Sequence, residues 1–443
     1  MKFRFRGVNR PAALALGAVL VLLAGCGSNN NGGNNAGNSS NAGSKPLSTA
    51  AAATTTRSPS TAGAGATVAP GQAATPTRAV GAAATAAAAS SPNAGTAKTA
   101  KIGVALSLTG GGAQYGATQK NGVQLAVDEI NAGAVPGVKL DTVVDDDGSD
   151  KNQVINVYQK FITQDKVAAI IGPTLSAQAA AADPVAQQAK VPVLGVSNTA
   201  AGITDIGDFI FRDSLTEADV VPQTVQKSAA RLGYKNVAVM YANDDTFSKS
   251  GYDAFKAALD KQGIKIADTE TFSTNDKDFS AQLTKVRDAK PDAIIVSALL
   301  DPAVGIATQA RKLGLTQPIV GGNGFNAPAF IQGAGAASEN VIVGAAWNSA
   351  STNPLSQKFI QSYTAKFSAA PDQFAAQAYS GVYILAKAIQ TANSTEHQAI
   401  RDALPKVKDF DTVLGTFNFN SSRDAQHPAV IQVVQNGQFV PLE

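Results

Sequence analysis

Three short polar clusters, Thr109 to Gly116, Pro173 to Ser176 and Ser197 to Thr199, are where this chain could do chemistry. Each follows an apolar run and offers hydroxyls and main-chain N–H groups at what reads as a helix start. Groups so placed suit an anion, a carboxylate above all. The first cluster carries Gly110, Gly111, Gly112 and Gly116, which would let the main chain come close to a ligand. It is not a phosphate loop, because Ala117 stands where the phosphate-reaching lysine is required. A dinucleotide loop would need glycine where Tyr115 stands.

Other chemistries fare no better. In "DDDGSD", Asp145, Asp147 and Ser149 alternate as in a calcium loop, but Tyr158 stands near where its bidentate glutamate belongs. A helix capped by Ser149, with Asp150 in its first turn, accounts for the stretch. His397 and His427 lie far apart in polar surroundings and read as surface residues. The nearest approach to a nucleophile elbow, Gly195-Val196-Ser197-Asn198-Thr199, lacks the last glycine. No catalytic set, metal cluster or cofactor motif emerges. The pattern is that of a binding protein, with an exported hydrolase centred on Ser197 as a remote alternative.

These clusters need a scaffold, and the residues around them supply one. Ile102 to Leu108, Leu140 to Val144, Ala168 to Ile171 and Val193 to Val196 read as strands. Between the first two, Val123, Ala126, Val127 and Ile130 fall on one helical face. The alternation continues through "VAVMYA", "IKIADTETF", "DAIIVSAL", "PIVGG" and "VIVGAAW". Strand, helix, strand in this order means crossover units and a parallel sheet, with ligands at the C-terminal edge. About 345 residues of it exceed one ordinary sheet, so two doubly wound α/β lobes are expected. Two helices near 355–368 and 372–390 then return the chain to the first lobe, and the end reads as strands turning at Asn436-Gly437.

The first hundred residues differ in kind. Residues 1–26 are a basic start followed by an apolar run ending in Leu23-Ala24-Gly25-Cys26, which resembles the lipobox of bacterial lipoproteins. Cys26 is the only cysteine, so disulfides and thiolate chemistry are excluded. Lipid on Cys26 would anchor the protein to the outer face of the cell membrane. Residues 27–98, with no acidic or aromatic residue, read as a disordered tether reaching about 45 Å on average. The formal charge of +3 arises from this region: residues 1–100 hold eight basic and no acidic residues, leaving 28 basic against 33 acidic beyond them. The folded part is thus acidic and carries no nucleic-acid footprint.

From residue 100 onward the chain resembles the branched-chain amino-acid-binding lipoproteins of ABC transporters, with the type I periplasmic-binding fold. The resemblance lies in "IGVALSLTGGGAQYGATQKNGVQLAVDEINA", "AAIIGPTLSAQAAAADPVAQQAKVPVLGVSNTA", "YANDDTFSKSGYDAFKAAL", "KDFSAQLTKVRDAKPDAIIVSAL" and "QARKLGL". It implies two Rossmann-like lobes joined by three crossing strands: lobe 1 about 99–218 plus 348–428, lobe 2 about 219–347 plus 429–443. A solute would sit between them until permease subunits accept it. Tyr115, Ser176, Ser197 and Thr199 would line the cleft, with Ser176 and Thr199 holding a carboxylate, Asn198 offering main-chain groups and Glu217 at the rim. Opposite them, Asn323 replaces the glutamate that grips an ammonium, and Phe247 and Leu299 replace two tyrosines. The resemblance implies a monomer without cofactor, holding an amino acid by substitute contacts or a related small acid or amide. A ligand-sensing receptor subunit of the same fold is the alternative role.

Overall fold

The structure, a computed structural model, describes residues 97–443. The export signal and Cys26 lie outside the described residues, as does the tether except at its end, where Lys98 already opens the first strand. Both lobes belong to one compact unit.

Lobe 1 begins with β1 (Lys98–Leu106), α1 (Ala113–Glu129), β2 (Val138–Asp146), α2 (Lys151–Lys160), β3 (Ala169–Ile171), α3 (Ser176–Ala189), β4 (Val193–Gly195) and β5 (Ile210–Arg212). Its five strands are all parallel, in the order β2-β1-β3-β4-β5. The chain reverses direction across the sheet between β1 and β3, which opens a crevice at the C-terminal ends of those strands. Of these five, β5 is the one with no counterpart in the sequence reading: three residues long, it includes a buried charge, Arg212.

Lobe 2 runs from α4 (Glu217–Leu232) through β6 (Asn236–Ala242), α5 (Thr246–Lys261), β7 (Lys265–Phe272), α6 (Ser280–Ala289), β8 (Ala293–Ser297), α7 (Leu300–Lys312), β9 (Ile319–Gly321) and α8 (Pro328–Ala334) to β10 (Ile342–Ala345). The chain then returns to lobe 1 as α9 (Pro354–Phe367), α10 (Gln373–Ala392), α11 (His397–Ala403) and the antiparallel β11 (Phe410–Thr412), β12 (Gly415–Phe419) and β13 (Ala425–Gln426). It ends in lobe 2 with β14 (Val430–Gln435) and β15 (Gln438–Pro441), which extend the second sheet to β15-β14-β10-β9-β8-β6-β7. Segments 213–216, 346–353 and 427–429 carry the chain between lobes.

Buried strands of a parallel sheet are apolar on both faces, and β3, β4, β8 and β9 are buried along their whole length. α10 packs on α1, where Gly122 leaves no room for a side chain: a Cβ there would lie 2.3 Å from Ala375 O. Helix α2 is capped by Asp150, whose carboxylate accepts from the Asn152 and Gln153 N–H groups. Ser149, the expected cap, has a left-handed backbone (φ 57°) and instead ties the two first loops together. Its hydroxyl donates to Thr109 O and accepts from the Gly112 N–H. The histidines are half-buried, not on the surface; His397 Nε2 meets Val167 O at 2.8 Å. Trp347 lies beyond β10 rather than ending it, in the second crossing.

Candidate functional site

The loops after β1, β3 and β4 in lobe 1 face those after β6, β8 and β9 in lobe 2 across a cleft. Two small cavities remain inside it. One is lined by Tyr115, Ser176, Ser197, Phe247, Leu299 and Asn323 among others. The second is lined by Thr199, Glu217, Gln377 and again Asn323. They measure about 20 and 10 Å³, room for a water molecule apiece. The lobes are therefore closed, and a solute would enter by their parting.

Named contacts hold the closure. Tyr115 Oη donates to Gly324 O (2.8 Å), while its ring packs on Phe374 at 4.6 Å between centroids. Gln373 Nε2 donates to Asn323 Oδ1 (2.6 Å), and Gln373 Oε1 accepts from the Ala346 N–H (2.9 Å). At the rim, the Ala201 N–H donates to Ser250 Oγ (2.9 Å).

On the lobe 1 wall, α3 starts at Ser176 with no side-chain cap. Leu175 and Ser176 at this start line the first cavity, and the N–H groups of a helix's first turn have no helical partner and favour negative charge. Ser176 Oγ accepts from the Ala200 N–H (3.3 Å). Ser197 is locked in a ring: its hydroxyl donates to Thr174 O (2.5 Å), Thr174 Oγ1 donates to Gln119 Oε1 (2.7 Å), and Gln119 Nε2 donates back to Ser197 Oγ (2.7 Å). Such a ring fixes rotamers before any ligand arrives.

Glu217 is the charged group of the cleft. It opens α4, is buried, and its Oε1 accepts from Thr199 Oγ1 (2.8 Å). Burial pushes its carboxyl up to about 7, against the opposing pull of the Thr199 hydrogen bond and the Arg212 charge. Ser297 Oγ, a buried atom without a hydrogen-bond partner, and Glu217 Oε2 both lie beside Gly251, whose missing side chain leaves them room. Phe247, Leu299, Leu175 and Phe374 give the other cavity an apolar side. Ser176 and Ser197 share that cavity with them, while Leu215, Val220 and Val221 line the one beside Glu217, so each cavity combines polar and apolar lining.

Eight of the nine residues expected at the cleft line one cavity or both. Asn198 does not. Its Nδ2 donates to Pro173 O (2.7 Å), and its carbonyl accepts from Arg212 Nη1 (3.0 Å) and Ser214 Oγ (2.9 Å). Its carbonyl is spent on bracing the loop, because the buried guanidinium needs carbonyl acceptors. Two of the glycines after β1, Gly112 and Gly116, are also packing glycines rather than clearance for a ligand. A Cβ on Gly116 would lie 1.9 Å from Ser107 O, and one on Gly112 2.8 Å from Ser107 Cβ, so they let α1 sit against the β1 loop. Gln119, Gln373 and Gln377 went unread in the sequence. Their signal is amides on helix faces that are otherwise apolar, as in "QFAAQAYSGVYILAKAI". Among the described residues no group of three or more metal-capable side chains occurs, and no helix is long and apolar enough to cross a membrane.

Two doubly wound lobes closed on a polar, helix-start-lined cleft form a receptor architecture, and the chain belongs to the periplasmic binding protein family, whose model matches residues 99–438. It is 28% identical over 334 residues to the leucine-, isoleucine-, valine-, threonine- and alanine-binding protein of Pseudomonas aeruginosa, covering 75% of this chain and 88% of that one. The Leu/Ile/Val-binding protein BraC3 of Rhizobium johnstonii is 30% identical, over 73% of this chain and 88% of its own. Among solved structures, the branched-chain amino acid transporter substrate binding protein LivJ of Streptococcus pneumoniae, in complex with isoleucine, matches with a TM-score of 0.73 at 32% identity. That match covers 77% of this chain and 98% of LivJ.

Proposed function

We propose that this protein is the extracytoplasmic solute receptor of an ABC importer, anchored through lipid on Cys26, and that it carries a small apolar amino acid. The α3 start with Ser176 receives the carboxylate. Phe247 and Leu299 pack on the aliphatic side chain, and permease subunits accept the solute when the lobes part. The observation that carries the reading is Glu217, a buried carboxylate lining the same cavity as Asn323. It supplies from lobe 2's first helix the negative charge that an α-ammonium needs and that Asn323 lacks. A buried cation without such a partner is costly. The names of the relatives support the same solute class.

Calorimetry on the full chain tests this. Leucine, isoleucine or valine should bind one per chain, and Glu217→Gln should weaken them by at least about tenfold, the scale of one buried charged contact. Tight binding of a small acid or amide with no amino acid bound would sink the ammonium assignment. Membrane fractionation tests the anchor: Cys26→Ala should move the protein to the soluble fraction, and unchanged fractionation would reject lipidation.

A further inference from the structure

Lobe 1 holds another cavity, of about 450 Å³, which shares no lining residue with the two cleft cavities. That size lies within the usual range of ligand pockets. Its floor is one face of α10, where Tyr379, Tyr383, Lys387 and Gln390 recur at helical spacing and all line it. Facing them are Leu355 and Lys358, one turn apart on α9.

The charges in this cavity are unevenly met. Lys358 forms no ion pair among the described residues, and Lys387 Nζ has only the neutral Gln390 Oε1, at 2.9 Å. One acid, Asp411, shares the lining, so the two ammonium groups outnumber it, and Glu129 lies behind the tyrosines. Glu129 Oε2 accepts from both Tyr379 Oη (2.5 Å) and Tyr383 Oη (2.7 Å), and Asp411 accepts from Thr416 Oγ1 (3.0 Å). Both phenol protons being used, the tyrosines offer the cavity ring surface. Leu355, 42% exposed, is one of two large apolar side chains left in solvent among the described residues. With Val413 and Phe410 it completes an apolar wall beside two ammonium groups.

We propose that this cavity is a second ligand site, independent of the cleft, that takes a small amphipathic carboxylate of the medium-chain aliphatic or arylalkanoic class. The carboxylate sits between Lys358 and Lys387, and its hydrocarbon lies against Leu355 and the tyrosine rings. Both lysines reach solvent, so exchanging them leaves the core intact.

Equilibrium dialysis of octanoate and 3-phenylpropanoate against the full chain tests the site. One saturable equivalent should bind at millimolar concentration or below, and should persist when Glu217→Gln and Ser176→Ala disable the cleft. The Lys358→Gln, Lys387→Gln pair should weaken it by at least about tenfold, and Ala134→Trp, which fills the mouth, should abolish it, with thermal melts unchanged in each. No saturable uptake overturns the proposal, as does uptake lost with the cleft variants, or uptake indifferent to the lysines.

Discussion

Tyr115 and Glu217 do different work in the cleft, and each can be changed by one atom or one charge. The Tyr115 hydroxyl is a latch between lobes, donating to Gly324 O. Its proton is held firmly, since burial drives the phenol well above its ordinary range. Tyr115→Phe keeps the ring on Phe374 and removes only the latch. A net hydrogen bond is worth about 0.5–1.5 kcal/mol, so solute affinity should fall about two- to tenfold, mainly through faster release in stopped-flow. Unchanged release would mean that the latch plays no part in closure. Glu217 predicts a pH effect. Its folded carboxyl titrates at about 7 against an ordinary 4.5, so between those values the folded state holds a proton that the unfolded chain has lost. Its contribution to stability is therefore present below about 4.5 and is lost as pH rises through 7. Glu217→Gln should flatten that fall, stabilising the solute-free protein at pH 8 by up to on the order of 3 kcal/mol in urea denaturation. An ammonium-bearing solute has the opposite preference. It should bind the wild type more tightly as pH rises through 7, and a pH-independent affinity would contradict its pairing with Glu217.

At the scale of elements, the loop after β4 decides whether Thr199 and Glu217 meet. Arg212 at the end of β5 holds that loop, donating to Asn198 O and to Ala200 O (2.6 Å) while paired with Asp424 at 2.6 Å. Arg212→Met would remove the charged donor to Asp424 and to two carbonyls, leaving Asp424 with Thr204 Oγ1 and Asn198 O with Ser214 Oγ. Breaking a buried pair costs about 3–5 kcal/mol. A lower urea midpoint together with weaker solute binding is the expected pair of results, and a stable variant with intact affinity would deny the brace. This arrangement also explains what could be read in advance. β1, β3, β4, β6, β8 and β9 were legible because strands covered on both faces are continuous apolar runs, and the residues just past their ends follow from parallel topology alone. β5 was not legible, since three residues that include an arginine form no such run. Asn198 was misread because Ser197, Asn198 and Thr199 are all polar and adjacent, and only the position of Arg212 decides which of them turns inward. Gln373 and Gln377 meet the cleft from about 160 residues beyond the first crossing, a contact that no local pattern contains.

The whole molecule works only if closing the cleft is felt at the crossings, and one chain of contacts joins the two. Asn323 in the cleft binds Gln373, Gln373 binds the Ala346 N–H, and Ala346 precedes Trp347 in the second crossing. Trp347 is buried, its Nε1 donates to Ser356 Oγ (2.8 Å), and its ring stands edge-on to Phe359 at 5.9 Å between centroids. Parting the lobes must break or carry along the Asn323–Gln373 bond, since its two ends belong to different lobes, and the strain falls on residues 346–353. Trp347 is the only tryptophan in the chain, so its emission reports this one place. Solute titrated into the full chain should shift that emission with the same midpoint as the calorimetric isotherm. Gln373→Ala, which cuts the link from the cleft, should shrink the optical change more than the heat of binding. A calorimetrically proven solute that leaves the emission flat would place the bending at one of the other two crossings. Residues 213–216, next to Arg212 and Glu217, would then be the segment that moves.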